Sequence, residues 1–168
     1  MAFQVVGMNA CTFVNVSANS YTGAASATVN FQDLNTGSLF STILNYSGGS
    51  GQINVLVSNL PAPNGVFEVT LMESGLEVAR QPLILHCDID CCLSKLTNEL
   101  IDCACDCPKC SSALAKAQKV YLLLVSAQST VQLTSTPVGS TNSGYYKDIL
   151  DKYNKAKSIC DNSCGCNC

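Results

Sequence analysis

The sequence predicts an α+β protein in which an N-terminal immunoglobulin-like antiparallel β-sandwich, residues 1–86, precedes a small Cys-stapled three-helix domain, residues 87–168. Two observations indicate this division. The first 86 residues carry one basic side chain, Arg80, and four acidic ones, whereas the remainder carries eight lysines and eight acidic residues. Eleven of the twelve cysteines also lie after residue 86. A compositional shift of this kind is typical of a domain boundary.

Six short segments of the first half are rich in β-branched and aromatic residues, and turn residues separate them, which predicts antiparallel strands. They are residues 10–16, 27–32, 38–46, 52–57, 66–72 and 77–85. In the fifth segment, Phe67, Val69 and Leu71 alternate with a second set on the opposite face, as in a half-buried strand. Strands at this spacing predict a β-sandwich. The scarcity of charge predicts either an ordinary Ser/Thr-rich surface or a surface that packs against copies of itself.

The second half has three stretches of helical periodicity, at about residues 88–102, 112–131 and 144–159. The run VYLLLV, residues 120–125, is apolar on all sides, which predicts burial on more than one side, against the sandwich or another subunit. The apolar stripes are Leu93, Leu96, Leu100 and Ala104 in the first helix, Ala113, Leu114, Ala117, Val120, Tyr121 and Leu124 in the second, and Tyr146, Ile149, Tyr153, Ala156 and Cys160 in the third.

The cysteines predict staples at the ends of these helices. Cys92 and Cys103 are about 16 Å apart along a helix, which is too far to share one metal ion or one disulfide. Short connections make neighbouring helices antiparallel, so the last cysteine group is expected to meet the second group. The three groups are Cys87, Cys91 and Cys92; Cys103, Cys105, Cys107 and Cys110; and Cys160, Cys164, Cys166 and Cys168.

All eleven of these cysteines are candidate ligands of zinc, which takes four tetrahedral ligands; disulfides are the alternative, and the spacing does not decide between them. The N-terminus lacks a secretory signal, so a reducing cytosol is expected, where cysteine clusters favour metal. His86 is either a ligand beside Cys87 and Cys91 or an ordinary linker residue. Cys11 is expected to be a small buried apolar residue on a strand. Three short helices bury little apolar surface, which is why structural staples are expected.

Several functions are disfavoured by the sequence. A net charge of −3 argues against nucleic-acid binding, and no run of 18 apolar residues is present to span a membrane. A cysteine nucleophile needs a base, and His86 is the only histidine. The segment Cys107–Cys110 has redox-motif spacing without the strand-to-helix setting of a thioredoxin site. We therefore expect no enzymatic activity and no small-molecule substrate.

Residues 65–124, GVFEVTLMESGLEVARQPLILHCDIDCCLSKLTNELIDCACDCPKCSSALAKAQKVYLLL, resemble small Cys-rich virion structural proteins of tailed bacteriophages. The resemblance lies in the CC-L-x-K-L start at Cys91, the later C-x2-C and the A-K-A-Q-K helix. It implies a structural component of the tail, neck or baseplate, or one associated with the capsid, that is assembled in the host cytoplasm. We accordingly expect other virion proteins as partners and a homo-oligomer. The competing prediction is a monomeric, soluble zinc-binding adaptor module or thiol store.

Overall fold

The computed structural model describes residues 3–8, 11–102, 108–133, 136–137 and 143–161. It confirms the predicted α+β class, because seven antiparallel strands in two sheets are followed by three helices. The strands are β1 (Gln4–Met8), β2 (Phe13–Asn19), β3 (Ser26–Asp33), β4 (Leu39–Asn45), β5 (Ser50–Leu56), β6 (Gly65–Glu73) and β7 (Leu76–Leu85). The helices are α1 (Cys87–Asp102), α2 (Pro108–Leu133) and α3 (Ser143–Asp161), and a short strand β8 (Thr136–Pro137) lies between the last two.

The two sheets are antiparallel throughout. One has the strand order β1-β2-β5, and the other has the order β4-β3-β6-β7-β8. The larger sheet contains two hairpins, β3–β4 and β6–β7, in which a short turn joins neighbouring antiparallel strands. Both β4 and β5 lie at sheet edges. Among the described strands, neither β4 nor β5 therefore has a pairing partner on its outer side.

The sandwich core is formed by the facing sides of the two sheets. Phe67, Val69 and Leu71 of β6 are fully buried in it, as their alternation predicts. Gln81 joins the sheets across one side of this core: its Nε2 donates to the Val5 carbonyl at 2.9 Å, and its Oε1 accepts from the Val5 amide at 3.1 Å. A side chain of β7 thus satisfies the backbone of edge strand β1.

A second core lies between the helices and the outer face of the larger sheet. Val66 of β6 is buried in this core, opposite to the neighbouring Phe67. The predicted stripe of α3 is confirmed, since all five of its residues are buried. The helical contributors are Ile89, Cys92, Leu96, Val120, Leu124, Ala127, Ile149, Tyr153, Ala156 and Cys160.

Two sequence expectations differ from the structure. Strand β1 was not predicted, because only Val5 of its five residues is buried and no alternation shows. The run 120–125 buries Val120 and Leu124, but Tyr121 is 58% exposed and Leu122 is 65% exposed. Within this chain, therefore, the run does not have the all-round burial that its composition predicts. The division into domains at residue 86 stays a prediction, although α1 does begin at Cys87, directly after the last residues of the sandwich.

Candidate functional site

Disulfides connect the start of α1 to two distant parts of the chain. Cys87 is bonded to Cys11, with a Cα–Cα distance of 6.2 Å, and Cys92 is bonded to Cys160, with a Cα–Cα distance of 5.9 Å. Both distances are ordinary for disulfides. Cys91 is disulfide-bonded as well. The first bond fastens α1 to the sandwich, and the second fastens α1 to α3.

The expectation for Cys11 is wrong. It lies in the turn before β2, with a φ of 60°, and it is only half-buried. The partner that gives it a role, Cys87, is 76 residues away in sequence. Packing as an apolar strand residue is therefore replaced by a covalent link between the sandwich and α1.

The expected meeting of Cys160 with the cysteines between α1 and α2 is also wrong, because Cys160 meets Cys92 near the start of α1. Helix α2 has 26 residues and α1 has 16, so α2 extends about 15 Å past the start of α1. Tyr153 of α3 lies beside Asp88 at the start of α1, so by Cys160 the helix has reached only the first turns of α1. The remaining predicted ligands, Cys103, Cys105, Cys107, Cys164, Cys166, Cys168 and the side chain of Cys110, lie outside the described residues.

The described residues favour disulfides over zinc. Among them, no group of three or more His, Cys, Asp or Glu side chains is placed to hold a metal ion. Cys87, Cys91 and Cys92 are oxidised, and a disulfide sulfur is not the thiolate that zinc binds. The predicted site of His86 with Cys87 and Cys91 is therefore not formed.

His86 instead takes part in a short polar chain at the start of α1. Its Nδ1 lies 2.9 Å from Asp90 Oδ2, and its Nε2 lies 3.0 Å from Gln128 Nε2. The side chain links β7, α1 and α2, which fits the linker role considered for it.

An open groove of about 590 Å³ runs beside His86 and its polar partners, between the edge of β1 and the end of β7. Its floor and walls include Gly7, Leu85, His86 and the Cys11–Cys87 disulfide. A Cβ atom on Gly7 would lie 3.1 Å from Leu85 Cδ2, so glycine lets β1 approach β7 closely here. The groove contains no thiolate nucleophile among the described residues, because both of its cysteines are oxidised.

Every charged side chain of residues 1–86 is buried or paired. These side chains are Asp33, Glu68, Glu73, Glu77 and Arg80. Asp33 is 4% exposed, and its carboxylate accepts from the Asn35 amide at 2.8 Å. Arg80 bonds Glu77 at 2.6 Å and lies 3.9 Å from Glu68, with all three side chains less than one-third exposed. The hydrogen bond that Arg80 donates to the Glu77 carboxylate is the main reason that the pKa of Arg80 is raised.

Glu73 is fully buried at the turn between β6 and β7. Its carboxylate accepts hydrogen bonds from the amides of Tyr21 and Thr22, at 3.0 and 2.8 Å, and from the hydroxyl groups of Thr22 and Tyr46, at 2.5 and 2.7 Å. Burial alone would raise the pKa of Glu73, but these hydrogen bonds outweigh burial and lower it. One ionised carboxylate thus holds three loops together at one end of the sandwich.

The outer face of β4, β3 and β6 consequently presents no unpaired charge, because Glu68 on β6 lies beside Arg80. We call this surface the neutral face and define it by Thr28, Asn30, Gln32, Leu39, Ser41, Ile43 and Met72, which are exposed or half-buried. Leu39 and Ile43 are each 60% exposed. Thr28 pairs with Ile43 on one side and with Met72 on the other, so polar and apolar groups lie side by side on this face.

Comparisons with known proteins leave the chain without a family. No protein-family model matches it, and no curated protein matches it. Within the described ranges, none of the helices has the length and apolar character needed to cross a membrane.

Sequence reasoning anticipated the scarcity of charge but missed the Glu73 network. The available signal was an acidic residue directly before a Ser-Gly turn in a segment with few charges.

Proposed function

We propose that the protein is a non-enzymatic structural component of a tailed-phage virion that docks through its β-sandwich. The observation that carries the proposal is that no charged side chain of residues 1–86 is left free at the surface of the sandwich. Protein surfaces that remain in water normally carry many charges, whereas the buried centre of an interface is depleted of them. A face without charge can be buried at low desolvation cost.

The disulfides support the same proposal. They hold α1 against the sandwich and against α3, so the helical part is positioned rigidly relative to the neutral face. Disulfides persist in oxidising surroundings, including the surfaces of virions. The resemblance of residues 65–124 to Cys-rich virion proteins adds the class of assembly, and with it assembly in the host cytoplasm and other virion proteins as partners.

The test measures how much of the chain is present in phage particles purified from cells that carry its gene. The wild-type chain is compared with a variant that carries one added charge on the neutral face. Thr28→Lys puts an ammonium group on an exposed position of that face, and Gln118→Lys puts the same group on the exposed side of α2. We expect the wild-type chain in the particles at a fixed ratio to the other virion proteins. We expect Thr28→Lys to lower its incorporation by more than about tenfold, because burying an unpaired charge costs several kcal/mol.

The Gln118→Lys variant is the matched control and is expected to enter the particles normally. Both variants should keep the circular dichroism spectrum and thermal midpoint of the wild type. Absence of the wild-type chain from purified particles, or equal incorporation of the two variants, contradicts the proposal.

The alternative function, a soluble zinc-binding adaptor or thiol store, needs free thiolates. Cys87, Cys91, Cys92 and Cys160 are oxidised and do not favour it. It makes a separate prediction, which is stoichiometric zinc in the purified native chain and release of that zinc on chelation. Metal analysis of the same preparation used for the particle experiment distinguishes the two functions.

A further inference from the structure

In the part of the chain that the structure describes, no strand pairs with the outer edge of β4, and the strand lacks the usual protection against pairing. β4 is the outer strand of its sheet, and its seven residues, LFSTILN, include no proline and no charged residue. Edge strands of soluble proteins are normally blocked by lysine, proline, bulges or covering segments. The register of β4 with β3 is also unbroken from Ser26↔Asn45 to Gln32↔Leu39, so no bulge bends the strand away.

Two hydrogen bonds at the ends of the β3–β4 hairpin show which backbone groups face this edge. The Asp33 amide donates to the Ser38 carbonyl, and the Tyr46 amide donates to the Ala25 carbonyl, both at 2.9 Å. Bonded and non-bonded pairs alternate along an antiparallel ladder. The even-numbered residues of β4 therefore bond to β3, and the amides and carbonyls of Leu39, Ser41 and Ile43 point outwards.

We infer that β4 pairs with β4 of a second copy of this chain, antiparallel and about a two-fold axis at Ser41. In this register Ser41 lies opposite Ser41 of the second copy, and Leu39 lies opposite its Ile43. All three residues have their amide and carbonyl groups at the open edge, so each pair can exchange both backbone hydrogen bonds. The interface is isologous, as a two-fold axis requires.

The side chains support this register. Leu39 and Ile43 are the exposed large apolar residues of β4, and the pairing covers each with the other across the new strand pair. No charged side chain lies on β4 or on the neighbouring β3 apart from the buried Asp33, so neither copy brings an unpaired charge into the contact. The five-stranded sheets of the two copies would then continue into each other.

Strand β5 offers the second open edge and is a poorer candidate. The Val57 amide donates to the Thr12 carbonyl at 3.0 Å, which by the same alternation turns the backbone groups of Gln52, Asn54 and Leu56 outwards. A two-fold axis at Asn54 would set Gln52 opposite Leu56, so an amide side chain would face an apolar one. The β4 edge is the one at which apolar residues meet.

This inference deepens the proposed function and rests on it, because a role in an assembly explains why an unprotected edge is kept. The two proposals are tested by separate measurements. Sedimentation equilibrium of the wild-type chain over a concentration series should give a species of about 35 kDa, twice the chain mass of 17.7 kDa. The same sample, denatured without reductant, should give 17.7 kDa, which excludes a dimer held by a disulfide.

Ser41→Pro removes the central outward amide. That amide has no partner in the β3–β4 ladder, and proline is tolerated at such an edge position, so the fold should remain. We expect this variant to be monomeric. The matched control Asn54→Pro, which alters the β5 edge in the same way, should remain dimeric. Ile43→Lys, a substitution without backbone consequences, should be monomeric with the circular dichroism spectrum of the wild type.

A wild-type chain that is monomeric at every concentration overturns the inference. A dimer that survives both Ser41→Pro and Ile43→Lys also overturns it, as does a dimer that only Asn54→Pro disrupts. The result also separates the two proposals. A monomeric wild-type chain that still enters phage particles overturns β4 pairing and leaves the proposed function intact. A β4-paired dimer that is absent from particles supports the pairing and overturns the proposed function.

Discussion

Replacement of Glu73 by glutamine should destabilise the sandwich strongly, although the two side chains have nearly the same shape. The Glu73 carboxylate is fully buried and accepts from donors of Tyr21, Thr22 and Tyr46. Glutamine retains one acceptor oxygen and turns an NH₂ group towards the remaining donors. Burial, and after it the carboxylate of Glu73, raise the pKa of Tyr46, so its phenol stays a donor throughout the working range.

The magnitude follows from the number of donors that lose their acceptor. Leaving a donor unsatisfied around a buried acceptor site costs about 1–3 kcal/mol, and two of the four donors face an NH₂ group in Glu73→Gln. We therefore expect a loss of about 3 kcal/mol in the free energy of unfolding at neutral pH. For a chain of this length that corresponds to a thermal midpoint lower by about 6–12 °C.

The effect should also depend on pH with a definite sign. The folded-state pKa of Glu73 lies below its ordinary value, so between the two values the unfolded chain binds more protons and stability rises with pH. The contribution of the carboxylate is complete above the unfolded pKa, about 4.3, and is lost as the pH falls through the lower folded pKa. The difference between wild type and variant should consequently be largest near neutral pH and shrink in acid.

Urea denaturation of both proteins at several pH values measures this difference. Glu77→Gln is the control, because Glu77 is partly exposed and paired with Arg80. We expect it to cost no more than about 1 kcal/mol. A Glu73→Gln variant as stable as the control at neutral pH, or a difference that does not change down to about pH 3, refutes the reasoning.

Three further substitutions test other parts of the structure. Replacing Cys92 and Cys160 together by serine should lower stability by about 2–4 kcal/mol, because their bond closes a long loop, and the loss should appear in thermal denaturation under non-reducing conditions; no change would mean that the bond is absent. Gln81→Leu should cost about 2–4 kcal/mol in urea, because it leaves the buried amide and carbonyl of Val5 without partners; a neutral result would contradict the sheet link. Tyr153→Phe should lower the free energy of unfolding by about 1–2 kcal/mol, because the hydrogen bond from its hydroxyl group to Asp88 on α1 is lost; an unchanged thermal midpoint would show that this hydrogen bond does not stabilise the fold.

The sequence predicted those elements whose side chains repeat with the period of the structure they form. In β6, Phe67 and Val69 lie on the sandwich side, while Val66 lies on the helical side, so one alternating segment serves both cores. The stripe of α3 is buried for the same reason, with a period suited to a helix. Local periodicity is enough to find such elements, because the fold adds only the partner that covers the face.

The cysteine pairing could not be predicted, because it depends on how far helices extend and not on local spacing. Cys11 and Cys87 are 76 residues apart, and Cys92 and Cys160 are 68 apart. The length of α2 decides which turn of α1 lies beside Cys160. The Glu73 network was hidden for a related reason, since its donors come from two loops that only the completed sandwich brings together.

The most direct test of the docking account is amide hydrogen exchange of the chain in solution, diluted until it is monomeric, compared with the chain assembled in purified particles. Backbone amides that are covered by a partner exchange more slowly. The account predicts added protection over residues 26–45, which contain β3 and β4, and little change over α2 and α3. Protection confined to the helices, or identical exchange in the two states, would contradict docking through the neutral face.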